Sequence, residues 1–217
     1  VAKESVEDRI EFTGSLEAYK RNVISPSIMG RIKSIRADVG DVVHAGQVLV
    51  QMDDAQLAQA KMQLNNLQTE YQRTLDLYKA GSLSKQALDK IQVQLDVAKT
   101  QFANLEENTK LLSPISGLVA ERNYDNGDMY SNKPILTIVQ INPVKIKANV
   151  SEEYYPRMRR GLGAQVTLDL LPGKTFNGKV DIIAPTINSA SRTFMVEVNV
   201  ANGQQILRPG MFARVNF

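Results

Sequence analysis

One pattern occurs twice in this chain, and its second copy stands 87 residues after the first. The two stretches are "SPSIMGRIKSIRADVGDVVHAGQVLVQM" (25–52) and "SPISGLVAERNYDNGDMYSNKPILTIVQ" (113–140). Each opens with Ser-Pro, and each then carries a glycine, Gly30 or Gly117. Ten residues further on, each has Gly-Asp, as Gly40-Asp41 and Gly127-Asp128. Eight residues after that glycine each starts a short apolar run, at Val48 or Ile135. The register holds with one gap, between the proline and the first glycine. A fixed-period repeat constrains a fold more than any local propensity. Glycine accepts the positive φ of tight turns and aspartate closes them, so each copy predicts short strands joined by turns. Neither copy has enough apolar residues to bury a core alone. Two copies packed face to face predict a small β-sandwich built from residues 23–52 and 111–140.

The segment between the copies, 53–110, has a different texture. Its only glycine is Gly81, and it has no proline. Apolar positions follow a heptad: Leu57, Ala60, Leu64, Leu67, Tyr71, Thr74, Tyr78, then Leu88, Ile91, Leu95, Ala98, Phe102, Leu105, Thr109 and Leu112. Alternating spacings of three and four predict an antiparallel coiled-coil hairpin. Asp53 with Gln56 suggests a capping box, and Gly81 the residue that ends the first helix. Ser84 suits the N-cap of the second helix, and Leu83 with Leu88 a hydrophobic staple. A first helix of about 26 residues would reach roughly 39 Å.

Alternation returns after Ile141. The runs 144–150, 164–170, 175–183, 193–200 and 211–217 read as half-buried strands, which predicts a small β-barrel. "YYPRMRRG" (154–161) suggests a short helix with Pro156 in its first turn and Gly161 at its end. The strand-like "SVEDRIEFTGSLEAY" (5–19) is expected to return to this barrel, so the barrel domain takes in 5–22 and 141–217. The expected fold class is mixed α and β, modular and elongated.

Composition narrows the function. Cysteine is absent and His44 is the only histidine, which excludes thiol chemistry and His- or Cys-based metal clusters. The seven methionines are scattered, with Met52 and Met62 read as core or seam fillers, so no metal site is expected. Paired acids, Glu106-Glu107 and Glu152-Glu153, do not converge on one site, and no phosphate loop or nucleophile motif is visible. No enzyme and no cofactor are expected. The basic excess lies in 141–217, with ten basic and five acidic residues, but without interleaved aromatics. Nucleic-acid binding is therefore not expected. No apolar run reaches the length of a membrane span. "VAKESVEDRI" is no signal peptide, and the chain is expected to begin after any leader or anchor.

Half-sandwich, helical hairpin, half-sandwich, barrel: this order resembles the periplasmic adaptors, or membrane fusion proteins, of Gram-negative tripartite efflux pumps, the HlyD-like superfamily. The residues that carry the resemblance are "GRIKSIRADVGDVVHAGQVLVQMD" (30–53), "LLSPISGLVAERNYDNGDMY" (111–130) and "LRPGMFARVNF" (207–217). It implies a lipoyl-like sandwich split by the hairpin. It implies an adaptor joining an inner-membrane transporter, of the RND class, to a TolC-type outer-membrane channel for export of drugs or other small molecules. An ABC-type efflux or secretion partner is the alternative. A biotinyl or lipoyl carrier would need a lysine on the turn between the halves, where Met52, Asp53 and Asp54 stand instead. The family's tip signature matches Arg73, Leu77, Ser84 and Asp89 at its spacing, which implies contact with the channel there. The resemblance further implies a ring of three or six copies. It implies a periplasmic location, with inner-membrane anchoring by a lipid or N-terminal segment not present in this chain. The family's membrane-proximal domain is expected to be absent from this chain.

Overall fold

The computed structural model describes residues 11–217, so residues 5–10 of the expected N-terminal strand lie outside the described part. The described chain divides into two compact units, one of residues 22–138 and the other of 139–217 with residues 11–21.

The first unit holds the repeat. Strands β2 (Ile32–Ile35), β4 (Val48–Met52) and β5 (Lys110–Leu112) form a three-stranded sheet in the order β2-β4-β5. Strand β3 (Val42–Val43) pairs with β6 (Gly117–Arg122), which neighbours the start of β7 (Leu136–Ser151). Ile32, Val43, Leu49, Val50, Val119, Ile135, Leu136 and Ile138 are buried in one core.

The two copies interlock rather than merely stack. Gly127 N–H donates to the Ile32 carbonyl at 2.8 Å, and Gly40 N–H donates to the Val119 carbonyl at 2.9 Å. The return bonds match: Ile32 N–H to Asp128 O at 2.8 Å, and Val119 N–H to Asp41 O at 3.0 Å. Both glycines have φ +96°, a conformation that side-chain-bearing residues rarely adopt. Each aspartate side chain then accepts from a main-chain N–H three residues back, Asp41 from Asp38 at 2.7 Å and Asp128 from Asp125 at 2.8 Å. The repeated Gly-Asp is therefore one turn used twice, each copy clasping a strand of the other.

Between β4 and β5 the chain forms two helices, α1 (Ala55–Lys79) and α2 (Lys85–Thr109). Leu64, Leu95 and Ala98 are buried between them, with Leu67, Tyr71 and Phe102 packed alongside. The seam is tight near the sandwich, at Leu57, Ala60 and Leu64, and loosens outward: Thr74 is half-buried and Tyr78 exposed. Leu112 does not extend it, because the chain has already turned into β5, where Leu112 is 50% exposed. The capping box is not formed either. Asp54 occupies the N-cap without a side-chain capping bond; its carboxylate meets Lys33 Nζ at 3.1 Å instead. Asp53 Oδ1 accepts from Ala55 N–H at 2.9 Å.

In the second unit, β1 (Glu11–Ile24), β11 (Phe212–Asn216), β8 (Gly163–Thr167), β9 (Thr175–Ile183), β10 (Thr193–Val200) and β7 are neighbours in that order, and β1 also pairs with β7. That last pairing closes a six-stranded barrel and removes its free edges. Strict alternation along β10 places Phe194, Val196, Val198 and Val200 inside. Gly14 and Gly178 are required by close approach: a Cβ on Gly14 would lie 2.7 Å from Ile146 Cγ2, and one on Gly178 2.5 Å from Val198 Cγ1. The short helix is a 3₁₀ segment, Glu152–Arg157, that starts earlier than the sequence suggested. Pro156 is its fifth residue rather than part of a first turn, so the segment lacks one N–H of its ladder there. Strand β8 ends at Thr167 and does not reach Leu170, which is 68% exposed.

Candidate functional site

The link between α1 and α2 is short because both helix ends are finished locally. Gly81, at φ +75°, donates its N–H to Tyr78 O at 2.9 Å, and Ser82 N–H donates to Leu77 O at 2.9 Å. These two bonds are a Schellman stop, which satisfies carbonyls that the helix end would otherwise leave orphaned. Three residues after Gly81, Ser84 restarts the helix: its hydroxyl accepts from Ala87 N–H at 3.3 Å. A serine hydroxyl still has its own hydrogen to give, so the cap leaves a donor facing outward.

The four residues that the sequence singles out all flank this turn, and all are exposed. Arg73 and Leu77 are four apart on α1, so they stand one above the other on one face. Ser84 and Asp89 are five apart, which separates them by about 140° around α2. The structure thus brings Arg73 and Leu77 together on one face and sets Asp89 off from Ser84's. Two apolar neighbours were not singled out: Tyr78 and Leu83, each 37% exposed beside Leu77 at 48%. The end of the hairpin therefore combines an apolar cap with cations at Arg73, Lys79 and Lys85. Such a surface suits docking against another protein, because desolvating apolar tips and adding guanidinium hydrogen bonds both favour association. It holds no group placed for bond chemistry.

Further down the hairpin, an open groove of about 910 Å³ runs between the helices. Gln59, Gln63, Val93, Val97, Thr100 and Asn104 are among its lining residues, and Val93 and Val97 are each 62% exposed. Its one carboxylate, Asp96, is held below its ordinary range by the Gln92 side-chain amide, with Lys99 adding to the effect. Met62, expected in the seam, is 62% exposed on α1. Among the described residues there is no group of three or more His, Cys, Asp or Glu able to hold a metal ion, and no helix long and apolar enough to cross a membrane.

Known proteins place this architecture. The CzcB-like barrel-sandwich hybrid domain matches residues 20–140, and the CusB-like β-barrel domain matches residues 143–217. The chain belongs to the HlyD-like family of efflux adaptors, the membrane fusion proteins. It is 27% identical to the nodulation protein NolF of Rhizobium meliloti over 97% of this chain and 63% of NolF. It is 26% identical to ArpA of Pseudomonas putida, an antibiotic efflux pump periplasmic linker protein, over 93% of this chain and 61% of ArpA. The chain thus spans less than two thirds of the length of these relatives. Among solved structures, a MacA-MexA chimera carrying the Pseudomonas aeruginosa MexA α-hairpin domain shares the fold, with a TM-score of 0.77 at 22% identity over 96% of this chain and 80% of that one.

Proposed function

We propose that this protein is a periplasmic adaptor that joins an inner-membrane transporter to a TolC-type outer-membrane channel, with the end of the α1–α2 hairpin as the channel contact. The observation that carries the reading is the turn itself: Arg73, Leu77, Ser84 and Asp89 stand exposed around a link whose own hydrogen bonds are complete. An exposed leucine and a spare hydroxyl donor there stabilise nothing inside the chain and are free for a partner. On this reading residues 53–110 are a coiled-coil hairpin inserted in a split lipoyl-like sandwich of 23–52 and 111–140. On the same reading the barrel domain takes in 141–217 and, of the expected 5–22, the described residues 11–22. The likeness to ArpA, a linker of an antibiotic efflux pump, supports a drug-exporting partner, and the match of residues 143–217 to an RND-type, CusB-like barrel model supports an RND-type one over an ABC-type one. Helices of 25 residues also favour that choice over a secretion system with a longer rod. Lateral contacts between copies, through the exposed Val93/Val97 face, would assemble a ring of three or six. The protein acts by alignment and not by catalysis. A lipid or N-terminal segment would tether it to the inner membrane.

Affinity purification from cell envelopes tests the reading. The full-length protein is expected to bring down an outer-membrane channel. Leu77→Ser combined with Arg73→Asp is expected to lose the channel and keep the transporter. Equal channel recovery from both would refute the tip assignment.

A further inference from the structure

A second feature, independent of the adaptor reading, lies at the other end of the hairpin. A pocket of about 350 Å³ opens at the base of the helices, a volume within the range of small-molecule sites. Strand pairing assembles its apolar lining from positions far apart in sequence. Met52 pairs with Ile32 across β2 and β4, Met129 is the bridge partner of Arg31, and Tyr130 N–H donates to Gly30 O at 2.9 Å. Gly30 keeps the space open: a Cβ there would rest on Met52 Cε at 3.5 Å. Met52 is the buried floor at 4% exposure, whereas Met29, Met129 and Ile28 form the rim at 70%, 63% and 48%. The three rim side chains fill no core, so packing inside the chain does not account for them. Methionine is unbranched and polarisable, so such walls adapt to apolar molecules of differing outline.

The pocket carries its charge on one side. Asp53 and Arg31 both border it and the adjoining cavity of about 280 Å³, but they face different ways. Arg31 Nε donates to the Gly127 carbonyl at 3.0 Å, and Gly127 lines the adjoining cavity and not this pocket. Asp53 Oδ1 accepts from Ala55 N–H at 2.9 Å, and Ala55 lines this pocket and not the adjoining cavity. The other Asp53 oxygen has no partner among the described residues. The methionine-walled space therefore presents a carboxylate with an open acceptor. We infer that this pocket binds a hydrophobic monocation, an ammonium carried on a small aromatic ring system. The rings lie against Ile28, Met29, Met52 and Met129, and the ammonium donates to Asp53. Thioether sulfur favours aromatic ring edges, and a charge-assisted bond to carboxylate fixes the orientation.

Titration of the full chain, isotope-labelled in its methionine methyl groups, with naphthylmethylammonium tests the site by nuclear magnetic resonance. The methyl signals of Met29, Met52 and Met129 should shift with one common affinity, while those of Met62, Met158, Met195 and Met211 stay in place. Asp53→Asn keeps an acceptor for Ala55 N–H and removes the charge. It should weaken the amine about three- to tenfold, the range of a charge-assisted bond partly screened by solvent. Naphthalenemethanol, with the same rings and no charge, should bind both proteins equally, and more weakly than the amine binds the unaltered chain. Met29→Ser with Met129→Ser should weaken both ligands; its substitutions are exposed, and unmoved Met195 and Met211 signals verify that it folds. Amine affinity unchanged by Asp53→Asn or by the double substitution would overturn the proposal. So would naphthalenesulfonate binding more tightly than the amine, or no shift of the three signals up to the solubility of the amine.

Discussion

Replacing Asn202 should destabilise the barrel more than replacing most of its apolar residues. This side chain is buried at 4% exposure and makes three bonds to main chain. Its Nδ2 donates to Ile141 O at 2.9 Å and Leu207 O at 2.8 Å, and its Oδ1 accepts from Leu207 N–H at 3.0 Å. Asn202→Ala strands two carbonyls and one N–H away from other protein groups. Each costs about 1–3 kcal/mol when left unpaired, and water entering the space recovers part, so the loss should be about 3–5 kcal/mol. Asn202→Asp keeps the shape and reverses the chemistry. A carboxylate would face two carbonyl oxygens, so its folded pKa must rise above the unfolded value near about 3.9. A raised carboxyl pKa means that the folded state binds the extra proton. Stability of this variant is therefore greatest below the unfolded pKa and falls as pH rises, by about 1.4 kcal/mol per unit until the folded pKa is passed. Urea unfolding followed by far-ultraviolet circular dichroism, from about pH 4 to about pH 7, reads both effects. An Asn202→Ala loss under about 1 kcal/mol, or an Asn202→Asp variant whose deficit does not grow with pH, would refute the reasoning.

Leu95→Ala, at 3% exposure in the hairpin seam, should cost about 2–3 kcal/mol, the low end for leucine because the seam is one layer thick and water can enter it; loss of helical ellipticity at lower urea measures this. Gly178→Ala should cost about 1–3 kcal/mol through the contact with Val198 Cγ1, and Val198→Ala in the same chain should recover part of it, which a double-mutant cycle would detect as coupling. Asp181 is held below its ordinary range by hydrogen bonds from Arg160 and then Asn199. Its contribution is present above the unfolded pKa and lost as pH falls through the lower folded value, so Arg160→Ala should lower stability slightly at neutral pH, flatten the acid limb of the profile and leave stability in strong acid unchanged, as urea unfolding across that pH range would measure.

Regular features were legible because they repeat. The Gly-Asp turns announced themselves twice, Gly81 and Ser84 marked the hairpin turn by the only chemistry that finishes helix ends so cheaply, and alternation along 193–200 named the inward face of β10. What escaped was set by partners distant in sequence. Asn202-Gly203 reads as a turn, and nothing local says that the asparagine points into the barrel to hold Ile141 and Leu207. Asp53 with Gln56 has the spacing of a capping box, but Lys33, brought in by the β2–β4 pairing, holds the N-cap Asp54 instead. Leu112 continues a heptad on paper, whereas hydrogen bonding to β4 has already ended the helix. The exposed Tyr78 and Leu83 of the turn were read as seam and staple positions, because a seven-residue pattern does not show where two helices splay apart.

The central claim is that the α1–α2 turn meets an outer-membrane channel. The chain has no native cysteine, so a single Ser84→Cys in the full-length protein carries a photo-crosslinker without ambiguity, and Lys174→Cys in the β8–β9 turn serves as its control. Irradiation of living cells should capture a channel subunit from position 84 and not from position 174. Capture from position 84 of only inner-membrane proteins, or only other copies of this chain, would contradict the account.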